Sequence, residues 1–423
     1  MTGNLFRELE IGNLSGNTIF LDVDGTIVPD KKGEIEETES GKIRDLSKEN
    51  EIFFCSNGSP QNAKRFALFF GGKELACKKP FTSAFRQIVE KAGTEKIVVI
   101  GDKFLTDGLL AKFLGARFVK TRHLLGQNDS PFIKFSYFLD DLAAYVAPYF
   151  ELMRPWQWIK NLLVFAPLFF MGNIALNASF LQALVAFAAF SIAASGVYVL
   201  NDVFDRNIDR LHPKKKDRPI ASGVVTVKGA YVLMGIILVL EAALLAFQPA
   251  VAPVIVLYIF LNGAYTAWFK HMVVVDILCV ASFYMMRIIA GGVATKIPLS
   301  SWIMLCTFFG ALFVIVGKRR SEYRNDSKRK VLEEYSETAL DFMLGTSAGL
   351  AIITYGIWSV LTHDSPYLVY STLFVVLALF RMLNHIYTRQ NDGESPESLV
   401  FKDKWILFSF VLWLLYVFFI FYK

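Results

Sequence analysis

The stretch Ser195-Gly-Val-Tyr-Val-Leu-Asn-Asp202-Val-Phe-Asp205-Arg-Asn-Ile-Asp209-Arg-Leu-His-Pro-Lys-Lys-Lys-Asp-Arg218-Pro219 begins within an apolar run and ends in a dense set of charges. On a helix that continues out of a membrane, the spacing of Asp202, Asp205 and Asp209 places their carboxylates on one face. Stacked like charges repel unless a cation neutralises them, and hard oxygen ligands of this kind suit Mg²⁺, which also takes phosphate oxygens. We therefore predict a Mg²⁺ site for a phosphate-bearing substrate, with Lys214 and Arg218 among the residues that hold further phosphate. The alternative is a solvated loop with a chance acidic face.

The two halves of the chain differ in character. Of its 423 residues, 54% are hydrophobic, and the mean hydropathy is +0.41. Charges are spread throughout the first part, as in a soluble α/β domain, whereas apolar runs of spanning length recur from Arg154 onward. We predict a soluble domain over residues 1–125, a linker or interfacial helix over 126–151 and an all-α polytopic membrane domain over 152–423.

The first residues and the cysteines indicate the cellular compartment of the soluble domain. Met1 to Asn13 lacks the pattern of a signal peptide, so the soluble domain is expected to stay in the cytoplasm. The four cysteines show no paired spacing, so we expect neither a disulfide framework nor a zinc site. We interpret them all as buried small apolar residues: Cys55, Cys77, Cys279 and Cys306.

The membrane half contains about nine apolar runs that could span a bilayer. Basic residues concentrate in the loops after the second, sixth and eighth runs, on the same side as the amino-terminal domain. An odd number of spans then leaves the carboxyl terminus outside, in an integral protein of a bacterial inner or plasma membrane. The predicted spans are Trp158–Met171, Phe180–Leu200, Ala230–Phe247, Val251–Phe269, Val273–Val293, Trp302–Val316, Phe342–Leu361, Leu368–Tyr387 and Trp405–Phe421.

Polar residues in or beside these spans are costly unless they are paired or used. Asp276 and Arg287 are eleven residues apart in one span, close to three helical turns, and so share a face. They are candidates for substrate binding or a structural polar pair of the bundle, although their separation is too long for direct contact. The other candidates are Arg154, Lys160 and Asn161, of which the two basic residues could instead be interface anchors, together with Asn201, Asn262, Lys318, Arg319 and Glu322.

The membrane half resembles the UbiA prenyltransferase superfamily, and within it the branch of decaprenyl-phosphate phosphoribosyltransferases. The resemblance lies in Arg154-Pro-Trp-Gln-Trp-Ile-Lys-Asn161, in Asn201 through Gly223, in Asp276 through Ser300, in Gly317-Lys-Arg319 and in Pro396 through Asp403. It implies transfer of 5-phosphoribose from phosphoribosyl diphosphate to a polyprenyl phosphate. Asp202, Asp205 and Asp209 would then bind Mg²⁺-diphosphate, the first two as catalytic residues. Lys160, Lys318 and Arg319 would bind phosphate, Arg287 the 5-phosphate or lipid phosphate, and Asp276 the ribose hydroxyls.

The soluble half has chemistry-bearing residues after each of three short apolar strands. Asp22-Val-Asp24-Gly-Thr, Ser56-Asn57 and Gly101-Asp102 follow them, with Lys79 and Asp107 in the neighbouring segments. Such strand ends build the site of an open parallel sheet.

This set resembles a haloacid dehalogenase-superfamily phosphatase with a Rossmann-like fold. The resemblance implies Asp22 as nucleophile, Asp24 as general acid and base, and Ser56, Asn57 and Lys79 as phosphate ligands. Asp22, Asp24, Asp102 and Asp107 would hold Mg²⁺. A degenerate fold without catalysis is the alternative.

We expect a bifunctional enzyme whose phosphatase removes the terminal phosphate from the transferase product. The short gaps between motifs leave no room for a large cap, and an open site suits a membrane-held substrate. Predicted partners are polyprenyl phosphate, phosphoribosyl diphosphate and the bilayer, with Mg²⁺ as cofactor, no nucleic acid and a homo-oligomer left open. Two alternatives are a prenyl transfer onto an aromatic acceptor and a lipid-sugar transporter with a regulatory soluble module.

Overall fold

The computed structural model describes residues 4–10, 14–29, 35–93, 96–125, 130–172, 178–212, 215–324, 330–361, 365–388 and 402–422. They form two compact units, Met1–Pro148 and Tyr149–Lys423. The first is an α/β unit and the second is helical.

The α/β unit is built on a five-stranded parallel sheet of order β3-β2-β1-β4-β5. Isoleucine, valine and phenylalanine dominate its central strands, which are buried on both faces as parallel strands usually are. The strands are β1 Thr18–Asp22, β2 Glu51–Cys55, β3 Lys73–Glu74, β4 Ile97–Gly101 and β5 Arg117–Lys120, and the helices are α1 Glu37–Glu49, α2 Pro60–Phe70, α3 Arg86–Ala92 and α4 Leu109–Leu114.

Alternate residues of the central strands feed two cores. Ile19 and Leu21 pack with α1 and α2 residues such as Ile43 and Phe66. Phe20 points the other way, where it packs with Leu110 of α4 and others. The three predicted strands are present, and the sheet gains two edge strands, β3 and β5, whose short polar sequences gave no strand signal.

A long helix, α5 Pro131–Met153, follows β5. Its residues up to Pro148 belong to the α/β unit, so the structural boundary lies later in the chain than the predicted end of the soluble domain at residue 125. Within that unit α5 exposes an apolar stripe at helical spacing, formed by Phe132, Phe135, Phe138, Leu139, Leu142 and Tyr145. Such a stripe suits an interfacial helix, and contact with the bilayer remains a prediction.

The helical unit contains, within its described residues, eight helices long and apolar enough to cross a membrane. Most are exposed to a large extent, as expected for helices whose solvent is lipid. The helices are α7 Ala178–Arg210, α8 Val227–Phe247, α9 Ala252–Ala267, α10 Val275–Thr295, α11 Ser301–Arg324, α12 Glu337–Leu361, α13 Thr372–Thr388 and α14 Lys404–Phe421. The spans at α9 and α13 include the 3-10 turn before each helix and run over Pro249–Ala267 and Leu368–Thr388.

The first predicted span, Trp158–Met171, is not one regular α-helix. It is a 3-10 segment, Pro155–Phe165, followed by the short helix α6, Ala166–Phe170. Pro167 lies inside the predicted span and lacks a backbone donor, which disfavours an uninterrupted α-helix here. The two pieces together extend about 30 Å at the usual rise per residue, close to the thickness of a hydrocarbon core. A ninth span therefore remains a prediction.

The cysteine interpretation needs correction. Only Cys55 is buried, whereas Cys77, Cys279 and Cys306 are partly exposed. All four are free thiols.

Candidate active sites

Three carboxylates converge at the carboxyl edge of the sheet. Asp22 ends β1, Asp102 follows β4, and Asp107 lies in the turn Phe104–Gly108. One oxygen of each lies within 4.8 Å of the others, and all three side chains are buried. Sheet order places this group between β1 and β4, where the chain reverses direction along the sheet and where α/β folds bind ligands. Three hard oxygen donors at this spacing fit a divalent cation such as Mg²⁺.

Lys79 lies inside this group. Its buried ammonium forms ion pairs with Asp22 and Asp107. Burial alone would lower the pKa of Lys79, but the two carboxylates outweigh burial and raise that pKa well above its usual value. Burial also raises the pKa of Asp22, an effect that Lys79 opposes. Lys79 therefore stays cationic and can bind a phosphate oxygen.

Asp24 lies in a hydrogen-bond network of its own. Its carboxylate accepts hydrogen bonds from the Ser56 hydroxyl and, at 3.2 Å, from Asn62 Nδ2. It is outside the group of Asp22, Asp102 and Asp107, with which the sequence prediction had placed it as a metal ligand. This position leaves Asp24 available for proton transfer.

The Ser56 and Lys79 segments are tied together by Asn57. Its Nδ2 donates to the Lys79 carbonyl and its Oδ1 accepts from the Lys79 amide, both at 2.8 Å. Asn57 therefore positions Lys79 in this structure, and its binding of phosphate stays a prediction. Ser56 Oγ in turn accepts hydrogen bonds from the backbone amides of Gly58 and Ser59.

Gly25 is required by the packing of the loop after β1. Its φ is +84°, and a Cβ atom there would collide with the Asp102 carboxylate and lie 2.9 Å from the Tyr137 hydroxyl. Only glycine allows the loop that carries Asp22 and Asp24 to approach Asp102 so closely.

In the helical unit, two of the three aspartates of α7 share an arginine. Arg218 Nη1 donates to Asp202 Oδ1 at 3.1 Å and to Asp209 Oδ2 at 2.7 Å. Arg154 also pairs with Asp202 and lies over the Tyr198 ring, with 4.8 Å from its guanidinium carbon to the ring centroid. Asp202 and Asp209 are buried, and Asp205 is half-buried.

The predicted Mg²⁺ site at Asp202, Asp205 and Asp209 stays a prediction. Among the described residues, close groups of three metal-binding side chains occur only in the α/β unit. The cations that neutralise Asp202 and Asp209 here are guanidinium groups, because Arg154 and Arg218 reach the same end of α7.

Arg287 occupies a buried aromatic cage. Its Nε donates to Asn161 Oδ1 at 2.7 Å, and Nη1 donates to the Phe283 carbonyl. Three rings surround the guanidinium at 5.1–5.6 Å, those of Phe190, Tyr258 and Tyr284. No carboxylate pairs with Arg287 among the residues that the structure describes. Asn161 is fixed in turn by a hydrogen bond to Ser191.

Asp276 lies in a different network from Arg287. It accepts hydrogen bonds from Arg319 Nε at 2.9 Å and from the Tyr335 hydroxyl at 2.8 Å. Arg319 also pairs with Glu322 at 2.9 Å, so Glu322 has a structural partner. The sequence expectation that Asp276 and Arg287 do not touch directly is consistent with these partners.

The other residues predicted to bind substrate in the helical unit differ in their partners and exposure. Asn201 accepts a hydrogen bond from Thr266, and Asn262 donates to the carbonyl of Tyr258 in its own helix. Lys318 is exposed and Lys160 is half-buried. Lys214 lies outside the described residues, as does most of the segment from Pro396 to Asp403.

Sequence reasoning missed several residues of these networks. The Thr26 hydroxyl lies 3.1 Å from Asp22 Oδ2 and 3.3 Å from Asp102 Oδ1 and shares its one hydrogen between them, and His123 contacts Asp102 at 3.0 Å. Tyr335 belongs to the Asp276 network. Thr26 completes the Asp-x-Asp-Gly-Thr pattern and could have been predicted, whereas His123 and Tyr335 stand in no motif.

The helical unit shares its fold with a UbiA homolog of known structure. The structure of a UbiA homolog from Archaeoglobus fulgidus bound to GPP and Mg²⁺ superposes with a TM-score of 0.52, at 19% identity, covering 65% of this chain and all of that one. At this identity the likeness establishes the fold alone.

Residues 161–409 match the UbiA prenyltransferase family, and the chain belongs to that family. It is 37% identical over 290 residues to the decaprenyl-phosphate phosphoribosyltransferase of Mycobacterium tuberculosis, a match that covers 64% of this chain and 93% of the relative. The enzyme of that name from Corynebacterium glutamicum is 36% identical over 267 residues, covering 60% and 80%. The family match lies entirely within the helical unit.

Proposed function

We propose that this protein is a bifunctional membrane enzyme. Its helical unit transfers 5-phosphoribose from phosphoribosyl diphosphate to a polyprenyl phosphate, and its α/β unit removes the 5-phosphate from the product. The first half rests on the 37% identity across 93% of the mycobacterial phosphoribosyltransferase. The second rests on the buried group of Asp22, Asp102 and Asp107 with Lys79.

The transfer step requires stabilisation of a leaving diphosphate. An oxygen of the lipid phosphate forms the new bond to ribose C1 while the C1–O bond to diphosphate breaks, so negative charge builds on the diphosphate. The donor enters as its Mg²⁺ complex, for which Asp202, Asp205 and Asp209 supply suitable oxygen ligands. Arg154 and Arg218 lie against two of the same carboxylates and can pair with diphosphate oxygens.

Arg287 supplies a second anion-binding position. Its guanidinium is buried against Asn161 and three aromatic rings, and burial of a cation is favourable only with a compensating anion or dipoles. The 5-phosphate of the donor and the phosphate of the lipid are the two candidate anions.

The hydrolytic step follows from the α/β site. A carboxylate oxygen of Asp22 attacks the phosphorus, and the bond from phosphorus to the ribose 5-oxygen breaks while Asp24 protonates that oxygen. Water then attacks the aspartyl-phosphate, Asp24 accepts its proton, and inorganic phosphate leaves. Lys79 neutralises charge on the phosphate, and Mg²⁺ held by Asp22, Asp102 and Asp107 would supply further charge stabilisation.

One experiment tests both halves. Full-length protein in lipid nanodiscs is incubated with decaprenyl phosphate, phosphoribosyl diphosphate and Mg²⁺, and the lipids are analysed by mass spectrometry. Wild type is expected to form ribosylated lipid without the 5-phosphate. Asp22→Asn should accumulate the 5-phosphorylated lipid, and Asp202→Asn should form neither.

Matched controls use exposed carboxylates of the same units. Asp45→Asn in α1 and Asp217→Asn beyond α7 should behave as wild type. Absence of any ribosylated lipid in wild type would remove the transferase proposal, and a parallel incubation with a prenyl diphosphate and an aromatic acceptor tests prenyl transfer instead. Identical lipids from wild type and Asp22→Asn would remove the phosphatase proposal.

A further inference from the structure

Part of α5 packs against the loops that carry the phosphatase carboxylates. Tyr137 and Asp140 on this helix are 4% and 3% exposed. Both lie on the segment of α5 that belongs to the α/β unit. The same helix therefore exposes an apolar stripe on one side and buries polar groups on the other.

Asp140 fixes the turn that carries Asp107. Its two carboxylate oxygens accept the amide hydrogens of Phe104 and Leu105, each at 2.8 Å. These amides lie at the start of the short helical turn Phe104–Gly108, where the turn offers them no backbone hydrogen-bond acceptor. Lys120 pairs with Asp140 at 3.3 Å and with Asp141 at 2.7 Å, so these carboxylates already have a cation.

His123 links α5 to Asp102. Its Nδ1 lies 3.0 Å from Asp102 Oδ2, and because a carboxylate only accepts, Nδ1 carries the hydrogen. The imidazole stacks on the Tyr137 ring, with 4.1 Å between centroids and 27° between planes. On its other edge, Nε2 lies 3.3 Å from Asp141 Oδ1, within ion-pair distance but outside hydrogen-bonding geometry.

We infer that His123 is a positioning residue that orients Asp102 for the divalent cation, and that Tyr137 of α5 holds the imidazole in place. The inference rests on the proposed phosphatase function. Asp102 has two oxygens, of which Oδ1 accepts from Thr26 and Oδ2 from His123, so its rotation is fixed from both sides. Outer hydrogen-bond partners of this kind typically change metal affinity or activity by about 10- to 100-fold.

The test measures cation binding directly as well as turnover. Mn²⁺ binding to the full-length protein in nanodiscs is followed by loss of the free-ion electron paramagnetic resonance signal, and the sites lost in Asp22→Asn/Asp102→Asn define the α/β site. In His123→Phe, which keeps a ring to stack on Tyr137, affinity at that site should fall by about 10-fold or more. His123→Asn, which restores a donor near the Nδ1 position, should recover most of it.

Hydrolysis of p-nitrophenyl phosphate gives the second readout. His123→Phe should raise the Mg²⁺ concentration for half-maximal activity by a similar factor while activity at saturating Mg²⁺ changes less. Unchanged Mn²⁺ affinity in a folded His123→Phe protein would overturn the inference. A wild-type protein that neither binds Mn²⁺ at this site nor hydrolyses the ester would instead remove the phosphatase function itself.

Discussion

Asp276 and Arg319 form a buried ion pair, with 2.9 Å between Oδ2 and Nε. They lie on α10 and α11, and both are less than 5% exposed. Arg319 also donates a hydrogen bond to Glu322, and Asp276 accepts one from the Tyr335 hydroxyl. The ion pair is therefore the centre of a small polar network. Asp276, which is predicted to bind ribose, and Arg319, which is predicted to bind phosphate, are therefore partners of each other in this structure.

Removal of either partner should destabilise the protein. Arg319→Met removes the ion-pair partner of the buried Asp276 carboxylate, and breaking a buried pair in this way costs about 3–5 kcal/mol. Thermal unfolding of the purified protein should show a lower midpoint, whereas Lys318→Met, at the exposed neighbouring position, should not. If the Asp276→Asn/Arg319→Met double variant is as destabilised as the sum of the single variants, the two residues are not coupled.

Arg218 should be essential for transfer because it joins Asp202 to Asp209. Arg218→Gln removes the shared guanidinium, so two buried carboxylates lose a cation and the substrate diphosphate loses a partner. Ribosylated lipid should fall by at least about tenfold, the usual loss when a charge-assisted hydrogen bond is removed. Arg206→Gln on the same helix is the control. Hydrolysis of p-nitrophenyl phosphate by both variants should remain at the wild-type rate, since the α/β site is untouched.

Lys79 should contribute to hydrolysis at every pH of the assay. Its pKa is raised well above the usual value by Asp107 and Asp22 against the opposing effect of burial, so it stays protonated from about pH 5 to 9. Lys79→Met should therefore lower kcat by about 10²–10³-fold without altering the shape of the pH profile. Lys78→Met, at an exposed neighbouring lysine, provides the comparison. A wild-type alkaline limb that disappears in Lys79→Met would contradict this assignment.

Gly291 should tolerate no larger residue. A Cβ atom at this position of α10 would collide with the Val164 carbonyl oxygen in the 3-10 segment. Gly291→Ala should lower the free energy of unfolding by about 1–3 kcal/mol through overpacking. Gly310→Ala in α11 meets no atom within 4 Å and should be neutral or slightly stabilising. Equal unfolding midpoints for the two variants would show that the segment yields to the added methyl group.

Site residues that lie directly at the end of a strand could be predicted from the sequence, whereas residues placed by long-range contacts could not. Asp22 and Asp102 follow apolar strands, and the chain fixes their place at the sheet edge. The position of Lys79 between Asp22 and Asp107 follows from the hydrogen bonds of Asn57, which no spacing rule contains.

Long-range contacts account for the predictions that differed. The aspartates of α7 have helical spacing as expected, but spacing alone did not reveal that Arg154 and Arg218 reach them from other segments. His123 contacts Asp102 and stacks on Tyr137 of α5, and residue spacing reveals neither contact. Pro167 within the first predicted span was visible in the sequence, but hydropathy averaged over a window does not register its effect on helix geometry.

The position of Lys79 has a consequence for which ions the α/β site can accept. Three carboxylates and one ammonium in a buried space carry a formal charge of about −2, and a divalent cation cancels it. In the proposed phosphatase, a monovalent ion would leave a net negative site that repels a phosphate dianion, and a trivalent ion would hold phosphate too tightly for release. On that proposal, Lys79 would match the charge of the site to a divalent ion.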